Sequence, residues 1–401
     1  MKTYRNLLEQ SLTPQNVRKC MLDAAEGKLK RREVLRAFEH FDKTYDIVTK
    51  CARAQNYFPR EDNKHVVIDG TNHKERTIEK PMFTPEQILH HVIVEPFKEV
   101  LLSGLYEQVY GCLPATAVKE TEGGKYVVRK YGPHAAAQKI RKWVQVGRKI
   151  YVAELDIHHA YDSVDLEILM GKLRKVIKDE AWISLAERFV SGRNHKEKGL
   201  VLGHYTSPWF FNFYLKEFDH FAAGQEGIQY LRFADNLFLV GANKRKVHRA
   251  VDRITIYLRN CLKLELNRSA QVYRFEYVDR NGKTRGRAVN ALGFVVHYNR
   301  MTLRKRLLKG IRKKAMRIKR KREPTWHDAA AMLSRLAWIR CTDTYGYYMK
   351  HIKPNIQTKT LKKKVRAHSR AMQGVYKERR KIINDGLEKS KWLSANKAGR
   401  I

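Results

Sequence analysis

Residues 230–241 read Tyr-Leu-Arg-Phe-Ala-Asp-Asn-Leu-Phe-Leu-Val-Gly, two apolar runs around a short polar break that holds Asp235. This pattern predicts a β-hairpin whose tight turn carries an acid at its tip. Upstream, Tyr151–Ile157 has the pattern of an apolar strand with a second acid, Asp156, near its end. Two acids on two separate strands suit a two-magnesium phosphoryl-transfer site, because hard cations prefer oxygen ligands and both reacting oxygens must be held.

The composition indicates a globular protein that binds polyanions. The chain has 401 residues, of which 43% are hydrophobic, and a formal net charge of +40. Such an excess of positive charge attracts nucleic acid through counterion release. We find no apolar run near the length of a membrane-spanning helix and no secretory segment, so we expect a cytoplasmic protein without membrane contact. The five cysteines are scattered without metal-ligand spacing and are predicted to be reduced thiols.

The acids lie in segments that resemble a known family. Asp156 followed five residues later by Tyr161, together with the Phe-Ala-Asp-Asn of residues 233–236, resembles motifs A and C of reverse transcriptases. Further segments continue the resemblance in the order of the family: Arg76–Pro81, Tyr110–Pro114 and Gly132–His134 in the fingers, Gly199–Leu215 as motif B, Leu262–Asn267 as motif D and Ala291–Val296 as motif E. An isolated Ala-Asp-Asn would be weak evidence, whereas this ordered set is specific.

The resemblance implies an α+β fold of the right-hand polymerase type, with fingers, a palm built on an antiparallel sheet, and a helical thumb. We expect an N-terminal helical region over residues 1–65, fingers over 66–150, a palm (with part of the fingers) over 151–300, a thumb over 301–354 and a basic extension with helical patches over 355–401.

Several local patterns predict individual elements. Thr13 and Pro14 are suited to the N-cap and the first position of a helix, and a basic helix is predicted in the thirties. Hairpins are predicted to turn at the Gly-Gly pair of residues 123–124 and at the Asn-Gly pair of residues 281–282. Twelve of the nineteen residues from 304 to 322 are Lys or Arg, with an apolar stripe at helical spacing formed by Leu307, Ile311, Ala315 and Ile318.

By the resemblance, Asp156, Asp235 and Asn236 are the catalytic positions. Asp156, Asp235 and the carbonyl of Ile157 would hold two Mg²⁺ or Mn²⁺ ions. Asn236 departs from the family, which normally carries a second Asp there. An amide removes one negative charge but keeps an oxygen, so we expect weaker metal binding rather than loss of the site; an inactive palm is the competing interpretation.

The same resemblance assigns the nucleotide and nucleic-acid contacts. Tyr161 would exclude a ribose 2′-hydroxyl, Arg76 would face the incoming phosphates, and Gly203 would let the backbone approach the nucleotide. The residues expected to contact nucleic acid are Ser207 and Asn212 near the template and, in the thumb, Arg304, Arg312, Lys313 and Arg317.

The implied function is RNA-directed DNA synthesis from dNTPs on an RNA template with a DNA primer. The closest resemblances are to bacterial and phage-borne enzymes of antiphage defence, acting on a bound non-coding RNA, and to those of diversity-generating retroelements. Template-independent nucleotide addition and a catalytically silent, RNA-binding palm subunit are also compatible with these motifs. A protein partner and a homo-oligomer are both left open.

Overall fold

The structure is a computed structural model that describes residues 2–60, 64–68, 75–113, 116–120, 126–130, 132–146, 149–268 and 270–391. Its first part is helical, as predicted, with α1 (Leu7–Ser11), α2 (Pro14–Ala25), α3 (Arg32–Glu39) and α4 (Phe41–Arg53). The predicted start of α2 is confirmed, because the Thr13 side chain accepts a hydrogen bond from the Asn16 N–H and Pro14 follows it.

The next part combines short hairpins with two helices. Its elements are β1 (Lys64–Ile68), β2 (Glu75–Glu79), α5 (Ile88–Leu102), β3 (Thr116–Glu120), β4 (Tyr126–Lys130) and α6 (Pro133–Val144). β1 pairs with β2, and β3 pairs with β4, both antiparallel. The second pair confirms the hairpin predicted here, whereas its predicted turn at residues 123–124 lies outside the described residues.

An antiparallel sheet with helices forms the centre of the molecule. Its elements are β5 (Tyr151–Asp156), α7 (Leu166–Val176), α8 (Glu180–Ser191), α9 (Thr206–Tyr214), α10 (Lys216–Ala223), β6 (Ile228–Phe233), β7 (Asn236–Gly241), α11 (Lys244–Leu262) and β8 (Gln271–Arg274). The strand order is β6-β7-β5-β8. The predicted α+β class with an antiparallel palm sheet is confirmed.

Small strands lead from the palm into a helical region. They are β9 (Tyr277–Val278), β10 (Thr284–Arg285), β11 (Val289–Ala291), β12 (Phe294–Val296) and β13 (Met301–Leu303), followed by α12 (Lys305–Lys319), α13 (Trp326–Arg340), α14 (Tyr345–His351) and α15 (Thr358–Glu388). β9 and β10 form the hairpin predicted at residues 281–282, with residues 279–283 as its connection. α15 is one continuous helix where the sequence predicts only helical patches.

The described residues pack into two hydrophobic cores that share the palm sheet. Because side chains alternate along a strand, Ala153 and Leu155 enter the first core, with α1–α5 and α7–α11, while Val152 enters the second core, with α6, β11–β13 and α12–α13. The predicted stripe of α12 is confirmed, since Ile311, Ala315 and Ile318 are buried in the second core. Within the described part of the chain, no helix is both long and apolar enough to cross a bilayer.

Candidate active site

The hairpin predicted at residues 230–241 is formed by β6 and β7, with Ala234 and Asp235 between the strands. Ala234 has a φ of 53°, a left-handed conformation that tight hairpin turns use. Gly111 packs against this turn so closely that a Cβ there would lie 2.3 Å from the Ala234 nitrogen. The turn that presents Asp235 is therefore supported by a backbone contact that only glycine allows.

Strand pairing brings the second acid beside the first. β5 and β7 pair so that Asp156 lies opposite Asn236, the residue after Asp235. The Ile157 N–H donates to the Asp235 carbonyl oxygen at 3.0 Å, which joins the strand end to the hairpin turn. The structure thus brings together Asp156, Ile157 and Asp235 at one edge of the sheet.

Each acid accepts a hydrogen bond from the side-chain amide of an asparagine. Asn236 Nδ2 donates to Asp235 Oδ1 at 2.9 Å, and Asn267 Nδ2 donates to Asp156 Oδ2. The Asn267 N–H also donates to the Asp156 carbonyl oxygen at 2.8 Å. These hydrogen bonds fix the orientation of the two carboxylates. Asn267 ends the segment that resembles motif D, but sequence reasoning gave it no role in the site.

The two acids open into a cleft of about 470 Å³ between the palm and β2. Asp156, Ile157 and Asp235 line it, together with Arg76 from β2 and Tyr161. The remaining lining residues are Glu75, Thr77, His158, His159, Ala160, Asp162, Leu202 and Asn267. The cleft therefore brings acids, a cation and an aromatic ring together, and their role in nucleotide binding stays a prediction.

Asp235 also lines a second cavity of about 480 Å³ on the side of α12. Asn236 and Arg304 line this second cavity, along with Pro133, Phe233, Leu292, Gly293, Arg306, Leu307 and Trp338. Arg304 is held in place by Asn290, whose carbonyl oxygen accepts from Arg304 Nη2 at 2.9 Å and whose Oδ1 accepts from Arg304 Nε at 2.5 Å. Asn236 and Arg304 thus line the same cavity, on the side of Asp235 that faces α12.

The ring of Tyr161 forms a fixed wall of the first cleft. It stacks on Phe211 with centroids 4.8 Å apart and an interplanar angle of 22°. Its hydroxyl lies 3.7 Å from the Cys112 sulfur. Burial raises the pKa of the Tyr161 hydroxyl, so the ring is neutral at physiological pH. A neutral, stacked ring acts here through its volume rather than through charge.

A buried polar cluster, which we define as Asn212, Asp219 and Arg232, lies beneath the hairpin. Arg232 Nε and Nη2 donate to the two Asp219 oxygens, each at 2.7 Å, and Arg232 Nη1 donates to Asn212 Oδ1 at 3.0 Å and to the Ala234 carbonyl at 3.1 Å. All three side chains are 0% exposed. The expected contact of Asn212 with nucleic acid is therefore wrong: its side chain is enclosed, and Asn212 Nδ2 donates to the Gly111 carbonyl at 3.2 Å.

Ser207 and Gly203 both make contacts within the protein that the sequence did not predict. Ser207 is only 2% exposed, and its Oγ donates to the Val201 carbonyl at 2.6 Å, so it supports the loop before α9 instead of contacting template. Gly203 has a φ of +106°, and a Cβ there would lie 2.1 Å from the Glu79 carbonyl oxygen. This glycine is therefore required by its close contact with β2, and its contact with a nucleotide stays a prediction.

The basic residues of α12 occupy more than one face. Lys313 and Arg317 line a groove of about 710 Å³ beside α13, together with Lys305, Arg306, Leu307, Lys309, Gly310, Ile311, Lys314, Arg335 and Trp338. Arg312 is exposed but points about 100° away from Lys313 around the helix. The predicted thumb residues therefore separate into Lys313 and Arg317 on the groove, Arg304 at the catalytic side, and Arg312 on another face.

The donors at the cleft suit hard divalent cations. Asp156 and Asp235 provide carboxylates, and Ile157, whose carbonyl is the predicted third ligand, lines the same cleft; oxygen donors of this kind are those that Mg²⁺ and Mn²⁺ prefer. In the chain as described, no group of three or more His, Cys, Asp or Glu residues is arranged to hold a metal. A cation here would therefore depend on two carboxylates, supplemented by carbonyl, amide or substrate oxygens.

One protein family and several solved structures resemble this chain. Residues 109–294 match the family model for reverse transcriptase (RNA-dependent DNA polymerase). No curated protein sequence matches this chain closely enough to count as a relative.

Among solved structures, the chain is similar to an apo telomerase from Candida tropicalis truncated from its C-terminal domain (11% identity, TM-score 0.41, covering 66% of this chain and 60% of that one). It is also similar to telomerase from Candida albicans in complex with a fragment of telomeric RNA (12% identity, TM-score 0.41, covering 80% and 59%). The chain thus spans less than two thirds of these structures. The match to the reverse transcriptase family model covers residues 109–294, which include both acids and the hairpin.

Proposed function

We propose that this protein is an RNA-directed DNA polymerase that extends a primer with deoxynucleotides. The observation that carries this proposal is the pairing of β5 with β7, which puts Asp156 and Asp235 into one cleft with Arg76 and Tyr161. The match of residues 109–294 to the reverse transcriptase family supports the same activity.

Each residue of the cleft has a distinct task in this proposal. Asp156, Asp235 and the Ile157 carbonyl would hold two Mg²⁺ or Mn²⁺ ions, which would lower the pKa of the primer hydroxyl and neutralise charge on the triphosphate. Arg76 contributes a positive charge on the opposite wall, where it attracts the triphosphate. Tyr161, stacked on Phe211, fills the volume that a 2′-hydroxyl would need and so selects deoxynucleotides.

The thumb holds the duplex product in this proposal. Lys313 and Arg317 are exposed on one groove of α12 and would neutralise backbone phosphates. Arg304 lies with Asn236 in the cavity beside Asp235, which is suited to the end of a primer. The basic groove and the acids therefore offer one path for a template–primer duplex.

The experiment that tests the activity is primer extension by the purified protein on RNA and DNA templates, with dNTPs or rNTPs. We expect extension with dNTPs and strong discrimination against rNTPs. Tyr161→Ala is expected to relax that discrimination, because the space left by the ring accommodates a 2′-hydroxyl. Unchanged discrimination in an active variant would assign sugar selection to another residue, and extension without any template would favour template-independent addition.

The proposal also concerns the biological process in which the enzyme acts. The sequence resemblance supports a bacterial or phage-borne enzyme of antiphage defence that copies a bound non-coding RNA in the cytoplasm. A diversity-generating retroelement is the competing setting. Sequencing the nucleic acid that co-purifies with the protein, together with plaque assays on cells that express wild type or Asp156→Asn, distinguishes them. Protection that requires Asp156 supports defence, and cDNA copies of one variable gene segment support the retroelement.

A second candidate function is a silent palm that binds RNA for a partner polymerase. Asn236 favours it, because the amide removes one anionic oxygen from the site. The hydrogen-bonded Asp156 and Asp235 favour activity instead. Absence of extension with every template, combined with tight RNA binding, would support the silent palm.

A further inference from the structure

Glu154 lies on β5, two residues before Asp156. Because side chains alternate along a strand, Glu154 and Asp156 project from the same face of the palm sheet, about 7 Å apart along it. Val152, the residue before them on that face, is buried in the second core. Glu154 is half-buried, and it lines neither of the two cavities that Asp235 lines. A carboxylate so close to the acids, but outside both cavities, requires another explanation.

The Glu154 carboxylate joins β5 to two neighbouring strands. On β8, the Tyr273 hydroxyl donates a hydrogen bond to Glu154 Oε1, and on β11 the Asn290 N–H donates to the same oxygen at 2.9 Å. Burial, together with the adjacent Glu154 carboxylate, raises the pKa of the Tyr273 hydroxyl, which therefore stays protonated and able to donate. Glu154 thus fixes the position of Asn290 relative to β5.

Asn290 in turn holds Arg304, the residue before α12. It accepts two hydrogen bonds from the guanidinium, through its carbonyl oxygen at 2.9 Å and through Oδ1 at 2.5 Å. Two bonds to one planar group fix its orientation as well as its position. Burial lowers the pKa of Arg304, and the nearby Glu154 carboxylate opposes this change, so the two charges also interact directly. A continuous chain of contacts therefore leads from Glu154 through Asn290 to Arg304.

This chain of contacts ends beside the catalytic acids. Arg304 lines the cavity of about 480 Å³ together with Asp235 and Asn236. The other end of the same strand reaches the hairpin directly, because Asp156 pairs with Asn236. β5 therefore supports one acid through its backbone and the arginine through the Glu154 side chain. A shift of β11 relative to β5 would move Arg304 relative to both acids.

We infer that Glu154 is a positioning residue that holds Arg304, through Asn290, where it binds a phosphate at the end of the primer. This inference rests on the proposed function for the identity of the ligand. Arg304 touches the primer, and Glu154 acts only through Arg304. Substitution of Glu154 should therefore weaken primer binding and leave deoxynucleotide binding unchanged, because the nucleotide cleft has its own lining, including Arg76 and Tyr161.

A double-mutant cycle between Glu154 and Arg304 tests the inference, with the KM for primer and the Kd of an annealed primer–template as readouts. Arg304→Gln is expected to raise both by at least about tenfold, because a charge-assisted hydrogen bond to phosphate is lost. Glu154→Ala is expected to raise both by at least about threefold. The double variant should be no worse than Arg304→Gln alone, and the KM for dNTP should match wild type in all three.

Tyr273→Phe is a milder change in the same chain of contacts. It removes only the hydroxyl that donates to Glu154 and keeps the ring, over which the Arg287 guanidinium lies 4.6 Å from the centroid. We expect a smaller rise in the KM for primer than with Glu154→Ala. In the Arg304→Gln background, Tyr273→Phe should have no further effect.

Glu276→Ala is the matched control, since it removes another carboxylate that joins neighbouring strands. Glu276 binds the turn between β12 and β13: its Oε2 lies 3.1 Å from His297 Nδ1 and accepts from the Tyr298 N–H at 3.0 Å. The KM for primer should stay at the wild-type value in this variant. An equal rise in Glu276→Ala and Glu154→Ala would indicate general loosening of the strands and would overturn the inference.

The remaining outcomes are equally decisive. Additive effects of Glu154→Ala and Arg304→Gln would show that Glu154 does not act through Arg304. Wild-type primer affinity in either folded single variant would also overturn the inference. If the wild-type protein extended no primer at all, the proposed function would fail on its own, and equilibrium binding of the annealed primer–template would still test the role of Glu154 through the same cycle.

Discussion

The palm contains two sets of aspartates in different environments: Asp156 and Asp235 at the cleft, and Asp219 in the buried polar cluster. At the cleft, Asp156 and Asp235 face an open cavity and each accepts one amide hydrogen bond. Beneath the hairpin, Asp219 is enclosed with both oxygens bound to Arg232. The carboxylates of the first group line a cavity, whereas the carboxylate of the second is enclosed by the guanidinium that it binds. Burial, rather than residue type, separates the residues suited to chemistry from those that hold the turn in place.

The largest expected effect is that of Asp219→Ala on the free energy of unfolding. Asp219→Ala leaves the Arg232 guanidinium buried without its counterion, which is expected to lower the free energy of unfolding by about 3–5 kcal/mol. Asp235→Ala, the same change at the cleft, is expected to alter the free energy of unfolding by no more than about 0.5 kcal/mol. Chemical denaturation of the two variants and the wild type measures both. A mild effect of Asp219→Ala would mean that the buried polar cluster does not support the fold.

Next in size is the effect of Asn267 on catalysis. We propose that Asn267 is a positioning residue that orients the Asp156 carboxylate towards the metal. Asn267→Ala is expected to reduce extension by about 10–100-fold, as does the loss of other groups that orient metal ligands. The accompanying readout is Mn²⁺ affinity by calorimetry, which should weaken in parallel.

The control for this prediction is Asn384→Ala, an exposed position on α15. It should leave both the extension rate and the Mn²⁺ affinity unchanged. If Asn267→Ala slowed extension without changing Mn²⁺ affinity, the hydrogen bond to Asp156 would have a purely structural role.

The smallest expected effect concerns Asn236. In Asn236→Asp, a carboxylate replaces the amide that donates to Asp235, and two carboxylates at this distance repel unless a cation lies between them. Metal binding should therefore become more favourable, and half-maximal extension should shift to lower Mg²⁺. Magnesium titration of extension by both proteins measures the shift. Identical titration curves would place Asn236 outside the metal coordination.

The order of the motifs, the hairpin at residues 230–241 and the cleft with Arg76 and Tyr161 could be predicted from the sequence. Local patterns specify which residues end a strand, and the family resemblance then assigns the partner strand. The burial of Asn212 and Ser207 could not be predicted, because nearly every position of α9 is apolar or small and no polar face is visible.

The Arg232–Asp219 ion pair and the continuity of α15 also could not be predicted from the sequence. Arg232 lies in a strand whose neighbours are apolar, and its counterion Asp219 comes from another element, so its pairing depends on tertiary structure. α15 lacks an apolar stripe in its middle, and its two ends pack into different hydrophobic cores, through Leu361 at one end and Ile383 and Leu387 at the other. In each case the deciding contact is distant in sequence.

The most direct test of the proposed active site is the single-turnover rate of primer extension by Asp156→Asn. This change removes one negative charge at the cleft and preserves the volume of the side chain. The proposed site predicts a rate at least about 10³-fold below wild type, the upper size seen when one group that stabilises transition-state charge is removed. Duplex binding and the free energy of unfolding should remain close to wild type. A rate near that of wild type in the correctly folded variant would contradict the assignment of Asp156 and Asp235 as the catalytic pair.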